Sequence, residues 1–351
     1  MCRDSKPWLP IPLPSFCLCA TDDTLEEVIG LRQSDDGSSG TLRDWGVAYQ
    51  QVDLTPEGLF DIAAINAAIS NDDTIAVLHV QRSCGYQWRP SLPIAEIGRL
   101  CDNVRALNKV RDASNQLVVF VDNCYGEFVE DLEPCAVGAH LVAGSLIKNP
   151  GGTLARTGGY VAGKTSLVRE AANRLSAPGV KGGATLGQNK AILQGLFNAP
   201  ATVGESLKGA MLLAEVLGGT FGLPCNPPSP LSTSRLATNT GADSSNNVRT
   251  DIIQAVKLGS ESRLVRFCEA VQSHCPVDAH VRPTPGYTPG YGATEVIFAD
   301  GSFVDGATAE LSADGPLREP FILYAQGGTH VMHWALVLEA VLEDRALWPR
   351  N

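Results

Sequence analysis

A lysine and an aspartate near the middle of the chain lie in settings suited to covalent chemistry. Lys148 lies in the run GSLIKNPGG at 144–152, among small residues and glycines. Asp122 follows the apolar run 118–121, which is typical of a buried strand with an acidic residue at its carboxyl end. A lysine amine can form a Schiff base with the aldehyde of pyridoxal phosphate, and a carboxylate can keep the ring nitrogen of that cofactor protonated. The ordered pair therefore predicts a pyridoxal phosphate site.

Residues beside this pair offer further groups to such a cofactor. Ser145 lies three residues before the lysine, so its hydroxyl can reach the phosphate. Tyr125 lies three residues after the aspartate, and its phenol can hydrogen-bond the ring hydroxyl. Gly151 and Gly152 let the backbone approach the ring and can supply amide donors to the phosphate. Taken singly, each residue is more typical of an ordinary loop or strand end than of a site. The ordered pair with its flanking residues favours a site.

The setting of Lys148 also leads to an expectation about its charge. Schiff-base formation needs a neutral amine, and Lys148 lies in an apolar, glycine-flanked segment, unlike Lys164, Lys181 and Lys190. Because desolvation disfavours an ammonium, we expect burial and the neighbouring cofactor to lower the pKa of Lys148.

Five longer segments carry a family resemblance. They are GSLIKNPGGTLARTGGYVAGK at 144–164, VDNCYGEFVE at 121–130, QRSCGYQWRPSL at 81–92, RTDIIQAVKLGS at 249–260 and ELSADGPLREP at 310–320. The chain resembles the methionine gamma-lyase-related family, also described as aluminium-resistance proteins, a branch of the fold-type I pyridoxal phosphate enzymes. The resemblance extends from about Thr24 to the end, and implies that Lys148 holds the cofactor and that Asp122 contacts the ring nitrogen.

The chain departs from the family pattern in two places. Family members carry a longer amino-terminal segment with a Gly-Thr-His-like loop that helps to hold the phosphate, and nothing in residues 1–20 replaces it. We therefore expect this chain to bind pyridoxal phosphate more weakly than longer relatives. Arg156 occupies a position where a proline is expected, eight residues after Lys148. That offset resembles the phosphate-binding arginine of aminotransferases, although a solvated loop arginine fits equally well.

Two arginines are candidates for binding substrate. Arg318 lies in the run DGPLRE at 314–319, and a guanidinium grips a carboxylate through two parallel hydrogen bonds. A surface arginine paired with Glu319 is the alternative interpretation. Arg82, at the end of a predicted strand, is a second candidate that could contact either the cofactor or the substrate.

The resemblance implies the reaction, which the residues by themselves do not determine. It implies a lyase that removes the α-proton of a sulfur-containing amino acid of the methionine or cystathionine type and expels a thiol from its β or γ carbon, with Lys148, Asp122 and Tyr125 as the catalytic residues. It also implies a homodimer or homotetramer. The alternative is a catalytically impaired remnant of the same fold with a scaffold role.

Two competing motifs are weaker. GGYVAGKT at 158–165 satisfies the P-loop pattern of an NTPase, but Tyr160–Ala162 prefer a strand, and the strand that would serve as Walker B precedes the loop. His330 and His333 are three residues apart on a predicted helix, yet no third metal ligand lies nearby, so we predict no metal site.

Composition narrows the class of protein. The chain has 351 residues, which is long enough to bury a large core. Its 19% charged residues and net charge of −11 argue against a nucleic-acid or anionic-membrane partner. No apolar run approaches the ~20 residues of a membrane span. The ten cysteines are scattered and form no C-x-x-C pair, as expected for reduced thiols in the cytoplasm or an organelle stroma. The predicted partner is a small amino-acid substrate.

The elements that must position these residues follow from hydrophobic periodicity. Strand-like and helical segments alternate, which predicts an α/β fold with a mainly parallel sheet, and the resemblance implies a transferase-like fold of type I. We assign the cofactor-binding large domain to 22–217 and a smaller α+β domain to 218–351. Ligands should gather at the carboxyl ends of two central strands, near 81–83 and 122–125.

Prolines mark two predicted interruptions. Residues 1–21 contain four prolines, at 7, 10, 12 and 14, and are expected to form an extended lead outside helix and strand. Ala199–Pro200 is expected to break two helices, at 185–197 and 203–217.

Overall fold

The computed structural model describes residues 15–19, 25–31, 40–176, 179–180, 189–229, 249–275, 279–288, 291–292, 294–299, 311–344 and 347. Seven α-helices lie in these ranges: α1 Glu26–Ile29, α2 Ile62–Asn71, α3 Ile94–Asn108, α4 Thr165–Leu175, α5 Asn189–Leu213, α6 Glu261–Ser273 and α7 Val331–Glu343. None of the helices in the described part of the chain is long and apolar enough to cross a membrane.

The first sheet contains the two predicted central strands. Its strands are β1 Ser15–Cys19, β2 Tyr49–Val52, β3 Ile75–Gln81, β4 Val118–Asp122, β5 Leu141–Ser145 and β6 Gly159–Gly163, in the order β2-β1-β3-β4-β5-β6. All neighbours are parallel except β5 and β6. Apolar residues of β3 and β4 pack with α2 and α3 into one buried core. The predicted mainly parallel sheet is therefore confirmed.

The second sheet is antiparallel. Its strands are β7 Cys225–Asn226, β8 Gln254–Lys257, β9 Pro285–Gly286, β10 Val296–Ala299, β11 Leu311–Pro316 and β12 Ile322–Gly327, in the order β7-β8-β12-β11-β10-β9. Helices α6 and α7 cover it, with Phe267 and Trp334 fully buried. Leu213 and Leu217, at and beyond the end of α5, join this second core, so α5 links the two sheets.

The proline-rich lead contains a strand that the sequence did not predict. Ser15–Cys19 forms β1 between β2 and β3, so the expectation that prolines exclude a strand is wrong for these residues. The strand begins directly after Pro14, where backbone amides are again available to the sheet. Residues 1–14 lie outside the described part of the chain.

The predicted helix break at Pro200 is also wrong. Helix α5 continues through Pro200 to Leu213. A proline inside a helix costs about 3 kcal/mol, because it removes one hydrogen bond and crowds the preceding turn. Ala199 and Val203 on either side of it are buried, and α5 packs on β12 and α7. Burial of that face offsets the local cost, which periodicity alone cannot reveal.

Candidate active site

A cavity of about 400 Å³ lies at the carboxyl edge of the first sheet, and residues of the second sheet form part of its wall. Ligands in open α/β sheets bind at this edge, so the predicted location is supported by the shape of the molecule. The lining side chains are Leu25, Gln81, Ser83, Gly85, Tyr86, Asp122, Cys124, Tyr125, Lys148, Ile253, Thr288, Phe298, Ser312, Asp314, Tyr324 and Gln326.

The fold brings Lys148 and Asp122 to this one cavity. Asp122 is the last residue of β4 and pairs in register with Gln81 of β3 and Ala143 of β5. Lys148 follows β5 and begins a short 3₁₀ turn. Since β4 and β5 are parallel neighbours, the residues that follow them emerge at the same edge. Lys148 and Asp122, which are 26 residues apart in the sequence, therefore line the same cavity.

The charge state of Lys148 differs from the expectation. Burial acts to lower the pKa of the Lys148 ammonium, but Tyr125, Cys124 and Asp122 raise it by more, so the pKa lies above its ordinary value. The prediction of a lowered pKa is therefore wrong for the chain by itself. Burial raises the pKa of the Cys124 thiol to about 12 and also raises the pKa of the Tyr125 phenol, so at neutral pH Asp122 is the neighbour among these three that brings negative charge to the ammonium.

The carboxylate of Asp122 is held by its own turn and has a histidine nearby. The Cys124 amide donates to Asp122 Oδ1 at 3.0 Å. His79 of β3 packs on the ring of Phe120, with 5.0 Å between ring centroids. Burial lowers the pKa of His79 to about 4, although the Asp122 charge opposes the shift. At neutral pH this histidine is therefore uncharged, and the negative charge at the end of β4 belongs to Asp122.

Tyr125 lies against the lysine. The Lys148 Nζ is 4.2 Å from the centroid of the Tyr125 ring. The backbone of Tyr125 has φ 71°, a left-handed conformation that side chains rarely adopt. Two donors hold it there, because its carbonyl accepts from Asn149 Nδ2 at 3.0 Å and from the Ile252 amide at 3.2 Å. The turn that positions Tyr125 is thus tied both to the lysine turn and to the segment that leads into β8.

A second carboxyl group, which the sequence did not single out, lies deep in the same region. Glu127 is 3% exposed, and its Oε1 accepts from the Tyr160 hydroxyl at 2.9 Å. Gly144 makes room for this pair, since a Cβ there would lie 2.4 Å from Glu127 Oε1. Burial raises the pKa of Glu127 to about 8, although hydrogen bonds and the charge of Lys148 oppose the shift. The folded protein therefore holds a proton on Glu127 at neutral pH.

Replacing this carboxyl, as Glu127→Gln, is expected to change how stability depends on pH. The pKa is about 8 in the folded chain against 4.5 for an ordinary glutamate, so between these values the folded state binds the proton more tightly than the unfolded state. The wild-type free energy of unfolding therefore falls as pH rises through this window, by about 1.4 kcal/mol per pH unit. Glutamine does not titrate, so the free energy of unfolding of Glu127→Gln lacks this decrease with pH.

Urea unfolding of the cofactor-free chain at pH 6 and pH 8 measures the effect. Both values lie above the isoelectric point of about 5.0. The wild type should lose about 2 kcal/mol relative to Glu127→Gln between them. Glu170→Gln, which changes an exposed carboxyl on α4, should follow the wild type. Parallel pH profiles for the wild type and Glu127→Gln would contradict the assignment.

The predicted phosphate donors do not line the cavity. Ser145 Oγ accepts from the Ile147 amide at 3.2 Å, and Arg156 is exposed. The amides of Gly151 and Gly152 donate within their own turn, to Lys148 O at 3.0 Å and to Asn149 O at 3.2 Å.

These glycines serve packing instead. A Cβ on Gly151 would lie 1.6 Å from the Leu146 carbonyl oxygen, and one on Gly152 would lie 2.1 Å from that of Gly195 in α5. The glycine pair therefore lets the lysine turn contact α5 closely.

Arg82 lies inside the protein rather than on the cavity wall. Its side chain is fully buried and forms an ion pair with Glu130. Its guanidinium also donates to Asn123 Oδ1 at 2.8 Å and to the Gly126 carbonyl at 2.9 Å. These contacts brace the segment between Asp122 and Glu130, so we assign Arg82 a structural role and do not carry it into the site.

Arg318 lies close to the cavity without lining it. It is exposed, donates to the Tyr291 hydroxyl at 3.0 Å and stacks over that ring at 5.1 Å. Tyr291 in turn contacts Tyr86 of the lining, with 5.5 Å between ring centroids. A role in binding the substrate carboxylate stays a prediction.

The sequence analysis did not select several of the lining residues, although they lie in or near segments from which other residues were selected. Tyr86 lies within the segment 81–92, and Ser312 and Asp314 lie within the segment 310–320, where only Arg318 drew attention. Tyr324 ends the apolar run 321–324, which predicts a strand, and Gln326 lies two residues further along β12. Alternation along β11 and β12 puts these residues on one face, a signal that was present in the sequence.

The weaker motifs take ordinary structural roles. Gly159–Gly163 forms β6, paired antiparallel with β5, so the segment is a strand and not a loop wrapped around phosphates. His330 caps α7 by accepting from the Met332 amide at 3.2 Å. Within the described ranges, no group of three or more metal-ligating side chains is gathered.

Known proteins resemble the chain over most of its length. Residues 17–346 match the family model for methionine gamma-lyase. The chain is 44% identical over 313 residues to YnbB of Bacillus subtilis (strain 168), an alignment that covers 89% of this chain and 68% of that protein. A carbon-sulfur lyase involved in aluminum resistance from Clostridium novyi NT is 36% identical, with a TM-score of 0.80 over 95% of this chain and 73% of that one.

A more distant structure shows the fold alone. A methionine gamma lyase from Micromonospora echinospora is 16% identical, with a TM-score of 0.54 over 94% of this chain and 77% of that one. This likeness confirms the predicted fold class, an α/β architecture shared with fold-type I lyases.

Proposed function

The chain belongs to the methionine gamma-lyase family, and from that premise we propose that it is a pyridoxal phosphate-dependent carbon–sulfur lyase acting on a sulfur-containing amino acid of the methionine or cystathionine type. The observation that carries the proposal is the meeting of Lys148 and Asp122 in one cavity at the carboxyl edge of the first sheet.

The residues of the cavity suit the aldehyde and the ring of the cofactor. An amine and a carboxylate are the two groups that a pyridoxal phosphate enzyme needs from the protein, and both line the same space. Uncharged His79 leaves Asp122 as the negative group for the ring nitrogen. The cavity, at about 400 Å³, lies within the usual range for small-molecule sites.

Each residue has a distinct role in the proposed reaction. When bound, pyridoxal phosphate supplies an electron sink that makes the α-proton of an amino acid acidic. Lys148 would hold the cofactor through its Nζ and, as a free amine, would accept the α-proton on that atom. Asp122 would place a negative charge beside the ring nitrogen, and Tyr125 would orient the cofactor through its hydroxyl. Breaking the C–S bond would leave its electron pair on sulfur, the proton held on Lys148 Nζ would complete the thiol, and one water would convert the remaining enamine to a 2-oxo acid and ammonia.

A second candidate, a catalytically impaired scaffold of the same fold, is favoured by one observation. Ser145, Gly151, Gly152 and Arg156 do not line the cavity. Among the lining residues that the structure describes, Lys148 alone is positively charged. A phosphate dianion normally needs several donors, so weak cofactor binding is the expected property of this alternative.

Exposed apolar residues on α5 support the proposal of a homodimer or homotetramer. Leu193, Leu196 and Phe197 are exposed on this helix. Contiguous apolar surface of this kind is typical of an interface between subunits.

Borohydride reduction tests the cofactor site. We expect the chain, incubated with pyridoxal phosphate and reduced, to carry the label on Lys148, because among the described lining residues only that lysine shares the cavity with Asp122. Peptide mapping locates the label, and release of a 2-oxo acid from L-methionine or L-cystathionine measures the activity. A label on Lys164, which is exposed, would overturn the assignment. A correctly placed label with no turnover of any thioether would favour the scaffold.

A further inference from the structure

The turn at 125–128, which follows β4, carries unusual backbone strain. Tyr125 has φ 71° and Phe128 has φ 62°, so two of the four non-glycine residues with positive φ in the described part of the chain lie within this turn. Side chains adopt this left-handed conformation at a cost, and it persists only where the surroundings hold it. Such strain clusters at functional sites, and Tyr125 lines the cavity. The 125–128 turn therefore depends on contacts from elsewhere in the chain.

Asn149 supplies two of these contacts. Its Nδ2 donates to the Tyr125 carbonyl at 3.0 Å and to the Glu127 carbonyl at 3.2 Å. The residue is fully buried, and its Oδ1 has no hydrogen-bond partner among the described residues. Turning the amide over would place Oδ1 against two carbonyl oxygens, so the two contacts fix the orientation of the group. The fold thus keeps a buried amide with one unpaired acceptor, a cost that its two hydrogen bonds to the turn offset.

The place of Asn149 in the chain gives these contacts a second consequence. Asn149 follows Lys148 directly and begins the 3₁₀ turn Asn149–Gly151. The backbone of Asn149 is therefore joined to the lysine by a peptide bond, while its side chain is joined to the 125–128 turn by two hydrogen bonds. The Lys148 Nζ lies 4.2 Å from the centroid of the Tyr125 ring. Asn149 thus sets how the ring meets the amine, although it is not among the described lining residues.

We propose that Asn149 is a positioning residue, which holds the 125–128 turn against the lysine turn and so keeps the Tyr125 ring and hydroxyl in place beside Lys148. The inference rests on the proposed function and adds to it a residue outside the cavity lining. Without the two hydrogen bonds, Tyr125 can relax from its left-handed conformation, and its ring then moves away from the amine. Because an aromatic face stabilises an ammonium, this movement makes Lys148 easier to deprotonate.

Competitive acetylation of the cofactor-free chain measures this effect. Trace acetic anhydride reacts with neutral amines, and peptide mapping gives the rate at Lys148 relative to the exposed Lys164 across a pH series. We expect Asn149→Ala to increase the relative rate at Lys148 roughly 3- to 10-fold at pH 8, because the neutral fraction of the amine rises when the aromatic face is lost. In a Tyr125→Leu background, which already lacks that face, Asn149→Ala should change the rate by less than about 2-fold.

Two further variants separate positioning from a general loss of stability. Asn103→Ala removes an amide that donates to Asn66 Oδ1 at 2.8 Å, between α3 and α2 and outside the cavity lining. This control should keep the wild-type acetylation profile at Lys148. Asn149→Ser, whose short side chain cannot reach both carbonyls, should shift the profile in the same direction as Asn149→Ala, and it replaces that variant if the alanine chain does not fold.

The cofactor-loaded protein gives a second readout. The kcat of Asn149→Ala should fall roughly 10- to 100-fold with a smaller change in KM, because a displaced Tyr125 hydroxyl no longer orients the cofactor. A wild-type acetylation profile in the Asn149 variants, or an equal shift in Asn103→Ala, overturns the inference. So does a full shift by Asn149→Ala in the Tyr125→Leu background. Acetylation needs no cofactor, so it decides the role of Asn149 even if the chain fails to bind pyridoxal phosphate and the proposed function is wrong.

Discussion

Lys148→Ala is expected to lose activity by roughly 10³-fold or more, since one side chain both holds the cofactor and moves the α-proton. The same change should abolish the borohydride-stable label. Lys148 lies in the cavity against Tyr125, with its Nζ 4.2 Å from the ring centroid, and no other lysine of the described residues lines this cavity.

Steady-state release of a 2-oxo acid measures this loss. Lys164→Ala is the matched control, because Lys164 is an exposed residue that precedes α4. The control should retain wild-type activity and labelling. Substantial turnover by Lys148→Ala, or a retained label, would show that a different amine carries the cofactor.

Asp122→Asn is expected to lower kcat by roughly 10²-fold, the scale seen when a key electrostatic group is removed from an active site. Asparagine keeps an oxygen that can accept from the Cys124 amide, now bound to Asp122 Oδ1 at 3.0 Å, so the turn should persist. Only the negative charge is lost. The cofactor should still attach to Lys148, but the α-proton of the substrate should be much less acidic.

Comparison of kcat with borohydride labelling separates these effects. Labelling of Asp122→Asn at the wild-type level, together with a large loss of kcat, supports a role in catalysis and not in binding. Asp122→Glu, which keeps the charge, should recover part of the activity. Near-normal turnover by Asp122→Asn would show that another acid contacts the ring nitrogen.

The sequence alone determined the elements whose signal is local. Continuous apolar runs at 75–80 and 117–121 predicted the buried strands β3 and β4. Helices predicted at 94–110 and 260–271 lie close to the observed bounds of α3 and α6. Asp122 was assigned to a strand end from its neighbours, and the structure puts it at the end of β4. These predictions succeed because the hydrophobic pattern of a strand or a helix is visible in residues that are close together in the sequence.

Packing between distant segments decided the rest. The break predicted at Pro200 is absent because α5 buries its face against α7 and β12, a gain that no local pattern encodes. Likewise Gly151 and Gly152 serve the close contact with α5 instead of donating amides to a phosphate. Arg82, predicted at a ligand, is fully buried against Glu130 and Asn123. In each case the role of the residue depends on a contact with a segment that is distant in the sequence.

The sequence by itself thus determined the family, the parallel strands and the two residues that suit a pyridoxal phosphate site. Only the tertiary structure decided the opposite wall of the cavity, where Asp314 meets Tyr86 across a separation of 228 residues. It also decided the charges, since burial keeps a proton on Glu127 and the neighbours of Lys148 raise the pKa of its ammonium. The physical reason is the same for both: desolvation and Coulomb energies depend on which groups are close in space, whereas sequence patterns report which are close along the chain.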